Sequence, residues 1–270
     1  MVNEILNQIE NWIPPQLPEG MTWDDVPKGD MPGDKVNITD VHIERAEVLF
    51  PLIVKEIKKL SEAGQKKYVV GICGGSGAGK SGVAAVLSWY FNELGIGCYN
   101  MSGDNYPRRI PKDNDVERIR VYEEGGIEAL DAYLGSTQEI SFAEVSEILG
   151  KFKAGEAVIA LRRMGREEGE LWYDDIDFSN IHVLIIEWTH ANSDNFTGVD
   201  IPVLLNSTPL ETMEYRMLRN RDAGADSPFV TMVLTLEQKK IQKQAGKAKI
   251  ILSRQGQILS YDEYKELMGD

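Results

Sequence analysis

Residues 66–83 read "KKYVVGICGGSGAGKSGV". A short apolar run enters a string of glycines and leaves through a lysine into helix-forming residues. Gly74, Gly75, Ser76, Gly77, Ala78, Gly79, Lys80 and Ser81 fit the pattern G-x-x-x-x-G-K-[ST]. The chemistry behind the pattern is specific. Successive backbone N–H groups must all point at one polyphosphate, and glycine adopts the required dihedrals while letting phosphate approach. The helix that follows directs its positive end at the same anion. Lys80 is placed to reach the β- and γ-phosphates, and the Ser81 hydroxyl to take one position on Mg²⁺. A chance glycine turn would not have a strand directly before it and a helix over about 80–94 directly after. The expectation is a nucleoside triphosphate site.

Outward from this stretch, short apolar segments alternate with helical patterns. "GIGCYNMSG", "EAVIALRR", "IHVLIIEW", "DIPVLLN" and "AKIILSRQG" read as further strands. "SFAEVSEILGKFKAG" opens with a capping box from Ser141 to Glu144. "STPLETMEYRMLRNRD" opens with Thr208 as cap, "TLEQKKIQKQ" carries a similar start, and "SYDEYKELM" gives a last helix. The pattern predicts an α/β P-loop NTPase fold, three-layered, around a mainly parallel sheet. Before it lies an N-terminal helical extension. Residues 1–36 are rich in Pro, Gly and Asp, with Trp12 and Trp23, and read as an extended arm after a short helix. Apolar residues at helical spacing predict an amphipathic helix from about Thr39 to Leu60. The expected division is 1–62 for arm and helix and 63–270 for the nucleotide-binding domain. The arm is expected to be anchored by its tryptophans, on its own domain or on a second copy of the chain.

The charge balance narrows the partners. A net charge of −14 over 270 residues disfavours a nucleic-acid or anionic-membrane surface. Cys73 and Cys98 have no metal-ligand spacing and suit a reducing cytoplasm. No basic-then-apolar leader and no apolar run of about 20 residues is present.

"MSGDNYPRRIPKDND", residues 101–115, ends a strand at Asp104 and then reads as a long charged loop. In open α/β sheets the crevice lies at the carboxyl ends of the strands, so Asp104 falls beside the terminal phosphate, where a base for an acceptor hydroxyl belongs. Read alone, it is also a good turn residue.

"GICGGSGAGKS", "MSGDNY", "VLIIEW" and "RMLRNRDAG", in this order and spacing over roughly residues 67–255, together resemble the phosphoribulokinase/uridine kinase family of P-loop kinases. The resemblance implies ATP- and Mg²⁺-dependent transfer of a phosphoryl group to a hydroxyl of a small molecule. It implies Asp104 as catalytic base with Tyr106 in the neighbouring aromatic place. Glu187 becomes the metal-side acid, and Arg216, Arg219 and Arg221 become lid arginines. His190, just past the Glu187 strand, is a candidate for substrate contact. The chain also departs from the family. "IALRRMGREEGELWYDDIDF" puts two arginines where a P-x-Y-D segment handles the nucleoside, and Glu187 is followed by Trp188 rather than glycine. Arg108, Arg109, Arg162 and Arg163 stand out against the acidic background and suggest an acceptor that carries an anionic group. The plainer alternative is a set of surface arginines matched by nearby acids. Two other readings remain open from sequence: a uridine or nucleoside kinase, and a nucleotide-dependent regulator that uses the cradle as a switch.

Overall fold

A computed structural model describes residues 12–219 and 227–269, apart from the side chains at 215, 218 and 219. In chain order its strands are β1 (Tyr68–Gly74), β2 (Cys98–Ser102), β3 (Val158–Met164), β4 (Leu171–Asp177), β5 (Val183–Glu187), β6 (Ile201–Leu205), β7 (Ile250–Leu252) and β8 (Ile258–Leu259). Its helices are α1 (Asp40–Glu62), α2 (Lys80–Glu93), α3 (Pro111–Tyr133), α4 (Phe142–Ala154), α5 (Met213–Arg219), α6 (Pro228–Ala245) and α7 (Tyr261–Met268).

The main sheet runs β2-β5-β1-β6-β7-β8, parallel except for the edge strand β8. Its inner strands are buried on both faces, which is why they read as unbroken apolar runs. Alternation splits their side chains between two cores. Val70, Ile72, Val183, Ile185 and Val203 pack with α1 and α2, while Val69, Leu184, Ile186 and Leu204 pack with Phe142, Val145 and Phe152 of α4 and Ile241 of α6.

Residues 12–62 share the first of these cores. Trp12 lies 4.7 Å from Phe50 and 5.2 Å from Tyr90, Trp23 lies 5.2 Å from Trp89, and Val26 is buried with them. The arm is therefore anchored on its own chain from Trp12 onward. The short helix expected at its start falls outside the described residues.

Three expectations are corrected. "EAVIALRR" is a strand, but β3 pairs antiparallel with β4 in a separate two-stranded sheet. β4, "LWYDDID", is largely exposed and polar, so it lacks the apolar run that marks the other strands. The charged stretch after Asp104 is not a loop: it forms α3, kinked where Gly126 takes φ 70°. The helix expected at "TLEQKKIQKQ" starts earlier. Ser227 caps α6, accepting from the Val230 amide at 3.2 Å, with Pro228 at its first turn, and the Thr235 hydroxyl donates to the Thr231 carbonyl at 2.8 Å inside the helix. The capping boxes fare unevenly. Ser260 and Glu263 form theirs at α7, whereas Ser141 makes no side-chain cap and Glu144 is engaged elsewhere.

Candidate active site

The carboxyl ends of β1, β2, β5 and β6 bring the sequence motifs to one edge. β1 runs into the cradle, and Gly79 there takes φ 90°, a left-handed conformation that a side chain would strain, directly before α2 begins. Lys80 starts that helix and its Nζ donates to the Gly75 carbonyl at 3.1 Å. The cradle is backed from outside by α1, where buried Arg45 donates to the Ala78 carbonyl at 2.8 Å and to the Arg254 carbonyl at 2.7 Å. Cys73 is packing: burial pushes its thiol up to about 12, and it donates to the Thr189 carbonyl.

Glu187 ends β5 in register with Ile72 of β1 and Ser102 of β2. Its carboxylate accepts from Ser81 at 3.1 Å and from Ser102 at 2.7 Å. Burial, and then the negative charge of Asp104, push its pKa up to about 7, although Lys80 pulls the other way. Ser81 and Glu187 are hard oxygen donors of the kind Mg²⁺ takes beside a phosphate. Among the described residues no group of three or more His, Cys, Asp or Glu could hold a metal ion.

Asp104 stands exposed on the single 3-10 turn Gly103–Asn105 that follows β2. The departure at Trp188 is accommodated here. A Cβ on Gly103 would collide with the Trp188 ring, so the indole closes over the bare backbone just before the base candidate. Above the cradle, Arg216 of α5 donates to the Pro209 carbonyl at 2.7 Å and to Thr212 Oγ1 at 2.5 Å. A Cβ on Gly77 would lie 3.2 Å from its Cγ, so Arg216 lies over the phosphate loop. Arg221 falls outside the described residues, as does the Arg219 side chain. Gly75, Ser76, Ser207, Arg216, Glu237 and Gln238 line a small cavity between cradle, α5 and α6. Buried Ser207 Oγ and Gln238 Nε2 have no hydrogen-bond partner there among the described residues.

The remaining candidates divide. Tyr106 is fully buried in the core with its hydroxyl unpartnered among the described residues, so it packs beneath the site and does not line the crevice. His190 is buried against Phe142 and Trp188 and held neutral, its pKa pushed down to about 4 by burial.

The four arginines are already matched within the chain. Arg108 donates to the Thr137 carbonyl at 2.7 Å. Arg109 reaches Tyr133 at 3.1 Å and Glu117 at 3.4 Å. Arg162 pairs with Glu144 at 3.2 Å and with the Pro107 carbonyl. Arg163 pairs with Asp30 at 2.9 Å and Asp174 at 3.1 Å, and donates to Tyr99 at 3.0 Å. Alternation along a strand predicts that only one of Arg162 and Arg163 faces inward; both are buried, on opposite sides of β3. Arg109, Arg162 and Arg163 take their anions from the protein and Arg108 takes a backbone carbonyl, which weakens the reason to require an anion from the acceptor.

A second polar cluster, shared by α3, α6 and the segment between α3 and α4, is not evident in the sequence. Glu139, fully buried, accepts from Arg118 at 2.6 Å, Asn114 at 3.1 Å and the Gly135 amide at 2.6 Å. Arg118 also donates to Glu237 at 3.3 Å. Glu237 is acted on by the charges of both Lys80 and Asp104. The one sequence signal for this cluster is an apparently surplus arginine in the charged run of α3.

A glycine cradle ending the central parallel strand, an acid ending a neighbouring strand and Arg216 over the cradle define a P-loop fold. No family model matches the chain. It is 47% identical over 213 residues to the bifunctional alpha-galactosidase/sucrose kinase AgaSK of Mediterraneibacter gnavus, an alignment covering 76% of this chain and 23% of that protein. The chain thus spans about a quarter of that relative. Phosphoribulokinase from Rhodobacter spheroides superposes with a TM-score of 0.54 at 19% identity, covering 70% of each chain. D-glycerate 3-kinase from Cryptococcus neoformans var. grubii superposes with a TM-score of 0.53 at 12% identity, covering 82% of this chain and 98% of that one. The chain has the fold of phosphoribulokinase-like P-loop kinases, as the order of its motifs implied.

Proposed function

We propose that the chain is a small-molecule kinase that transfers the γ-phosphoryl group of ATP to a hydroxyl of a neutral carbohydrate. The observation that carries this reading is the meeting of Lys80, Ser81, Glu187 and Asp104 at one sheet edge. The acceptor hydroxyl gives its proton to the Asp104 carboxylate as its oxygen bonds to the γ-phosphorus and the bond to ADP breaks. Lys80 and the lid arginines Arg216 and Arg219 offset charge on the phosphoryl group in flight. Ser81 and Glu187 would hold Mg²⁺, which supplies further positive charge against the phosphates.

A neutral acceptor is favoured on two grounds. Arg108, Arg109, Arg162 and Arg163 have partners inside the chain, and the 47%-identical relative is named as a sucrose kinase. Transfer from labelled ATP should be measured against sucrose, monosaccharides, glycerate, a sugar phosphate and uridine. Sucrose or a monosaccharide should be the best acceptor. Asp104→Asn should cut the rate by roughly 10²-fold or more while ATP binding by calorimetry survives. Transfer to none of these acceptors, with slow hydrolysis alone, would favour the regulatory reading.

A further inference from the structure

We infer that Asp30, on the N-terminal arm, is a positioning residue that fixes the Asp104 turn in its working place. The Asp30 carboxylate is buried at the carboxyl end of β2, 74 positions before Asp104 (104 minus 30), with its side chain 8% exposed. Its Oδ1 accepts from the Ser102 amide at 2.7 Å and from Asn105 Nδ2 at 3.1 Å, the two residues that bracket the Gly103–Asp104 pair. Its Oδ2 accepts from Tyr99 at 3.1 Å and from Arg163 at 2.9 Å. Asn105 in turn accepts from the Met164 amide at 3.1 Å. One carboxylate from the arm thereby ties together β2, the turn and β3. Asp104 itself is exposed, so little besides its flanking residues holds its backbone.

This geometry is costly to assemble. Burial alone raises the Asp30 pKa, and the Arg163 guanidinium and the donated hydrogen bonds oppose that rise. A carboxylate whose sole task was to attach the arm would not need to leave water, since Trp12, Trp23 and Val26 already anchor it. Ser102 also donates to Glu187, so the residue that Asp30 grips by its amide touches the metal-side acid by its hydroxyl. The position of the base relative to the phosphates then depends on the arm. A displacement of about 1 Å at a reacting group can cost on the order of 10²-fold in rate.

The catalytic arm of the test rests on the proposed kinase reading, and a second readout does not. In Asp30→Asn the charge opposite Arg163 is lost. The variant's kcat is expected to fall at least about tenfold, with KM for ATP within about twofold of wild type. In an Asp104→Asn background the same change should have almost no further effect on kcat, because the group it positions is gone; a merely structural role would multiply through. Independently of any substrate, amide hydrogen exchange should quicken at residues 102–106 while β1 and β5 stay protected. Unchanged exchange at 102–106 overturns the proposal even if the chain is not a kinase, and a fully additive double variant overturns it if it is. Should Asp30→Asn unfold, Asp30→Glu keeps the ion pair and lengthens the tie by one methylene. Its kcat and its 102–106 exchange should both change at a near wild-type melting temperature, and wild-type values for both would overturn the inference.

Discussion

The phosphate cradle and the proposed acceptor end of the site are built by different means. The phosphate end is contiguous: eight successive residues, 74–81, form the cradle from backbone conformation, and Lys80 and Ser81 arrive with it. The acceptor end is assembled from side chains far apart in the chain, such as Asp30 with Arg163 and Glu139 with Arg118, each buried charge matched to another. The first design fixes residue type at its defining positions, Gly74, Gly79 and Lys80, and draws on few side chains from elsewhere. The second is a web in which loss of one member leaves a buried partner uncompensated.

The two ends should therefore fail differently. The largest effect belongs to the cradle. Lys80→Ala is expected to lower phosphoryl transfer by about 10²–10³-fold and to weaken ATP in calorimetry, with urea unfolding nearly unchanged. A large loss of stability in that variant would break the contrast. Arg163→Ala should do the reverse, leaving Asp30 buried and unpaired and costing about 3–5 kcal/mol in urea unfolding. Its KM for a neutral acceptor should stay within about twofold, and a selective rise in that KM would restore the anionic-acceptor reading.

His190 sharpens the comparison through pH. Its folded-state pKa, about 4, lies below the ordinary 6.5, so the unfolded chain takes up a proton first. The stability it contributes is fully present above 6.5 and is lost as pH falls through the interval toward 4. His190→Gln cannot titrate, and its melting temperature should fall less than that of wild type between pH 6.5 and 4.5. The smallest effect is expected at the rim. Arg109 is partly exposed and meets Glu117 at 3.4 Å, so Arg109→Ala should shift stability by no more than about 1 kcal/mol and leave the acceptor KM unmoved.

The same contrast governs how much of the molecule is legible in its sequence. β1, β5 and β6 announce themselves because burial on both faces demands unbroken apolar runs, and the cradle because its backbone demands glycine. α3 buries little more than Asn114, Leu130 and Tyr133, so its helical period carries almost no hydrophobic signal. β4 alternates exposed residues with half-buried ones and resembles a charged loop. Arg162 and Arg163 are conspicuous, but with no partner nearby in sequence they point to the substrate. Asp30 reads as one more turn residue in a Pro- and Gly-rich arm. Pairing across 133 positions, as between Asp30 and Arg163, leaves no local trace.

The double attachment of residues 12–62 has a consequence for the order of assembly. This stretch grips the Asp104 turn through Asp30 and the cradle through Arg45, whose other partner, the Arg254 carbonyl, lies 209 positions further along. It is synthesised before every strand it clasps. Its ties to the turn and the cradle span 72 and 33 positions, fewer than the 115 and 131 (183 minus 68, 201 minus 70) that separate β5 and β6 from their partners in β1. By loop-closure cost alone they are expected to close no later than the central sheet, with the tie to Arg254 closing last. A lesion in the stretch made first is thus expected to reach both halves of the site at once.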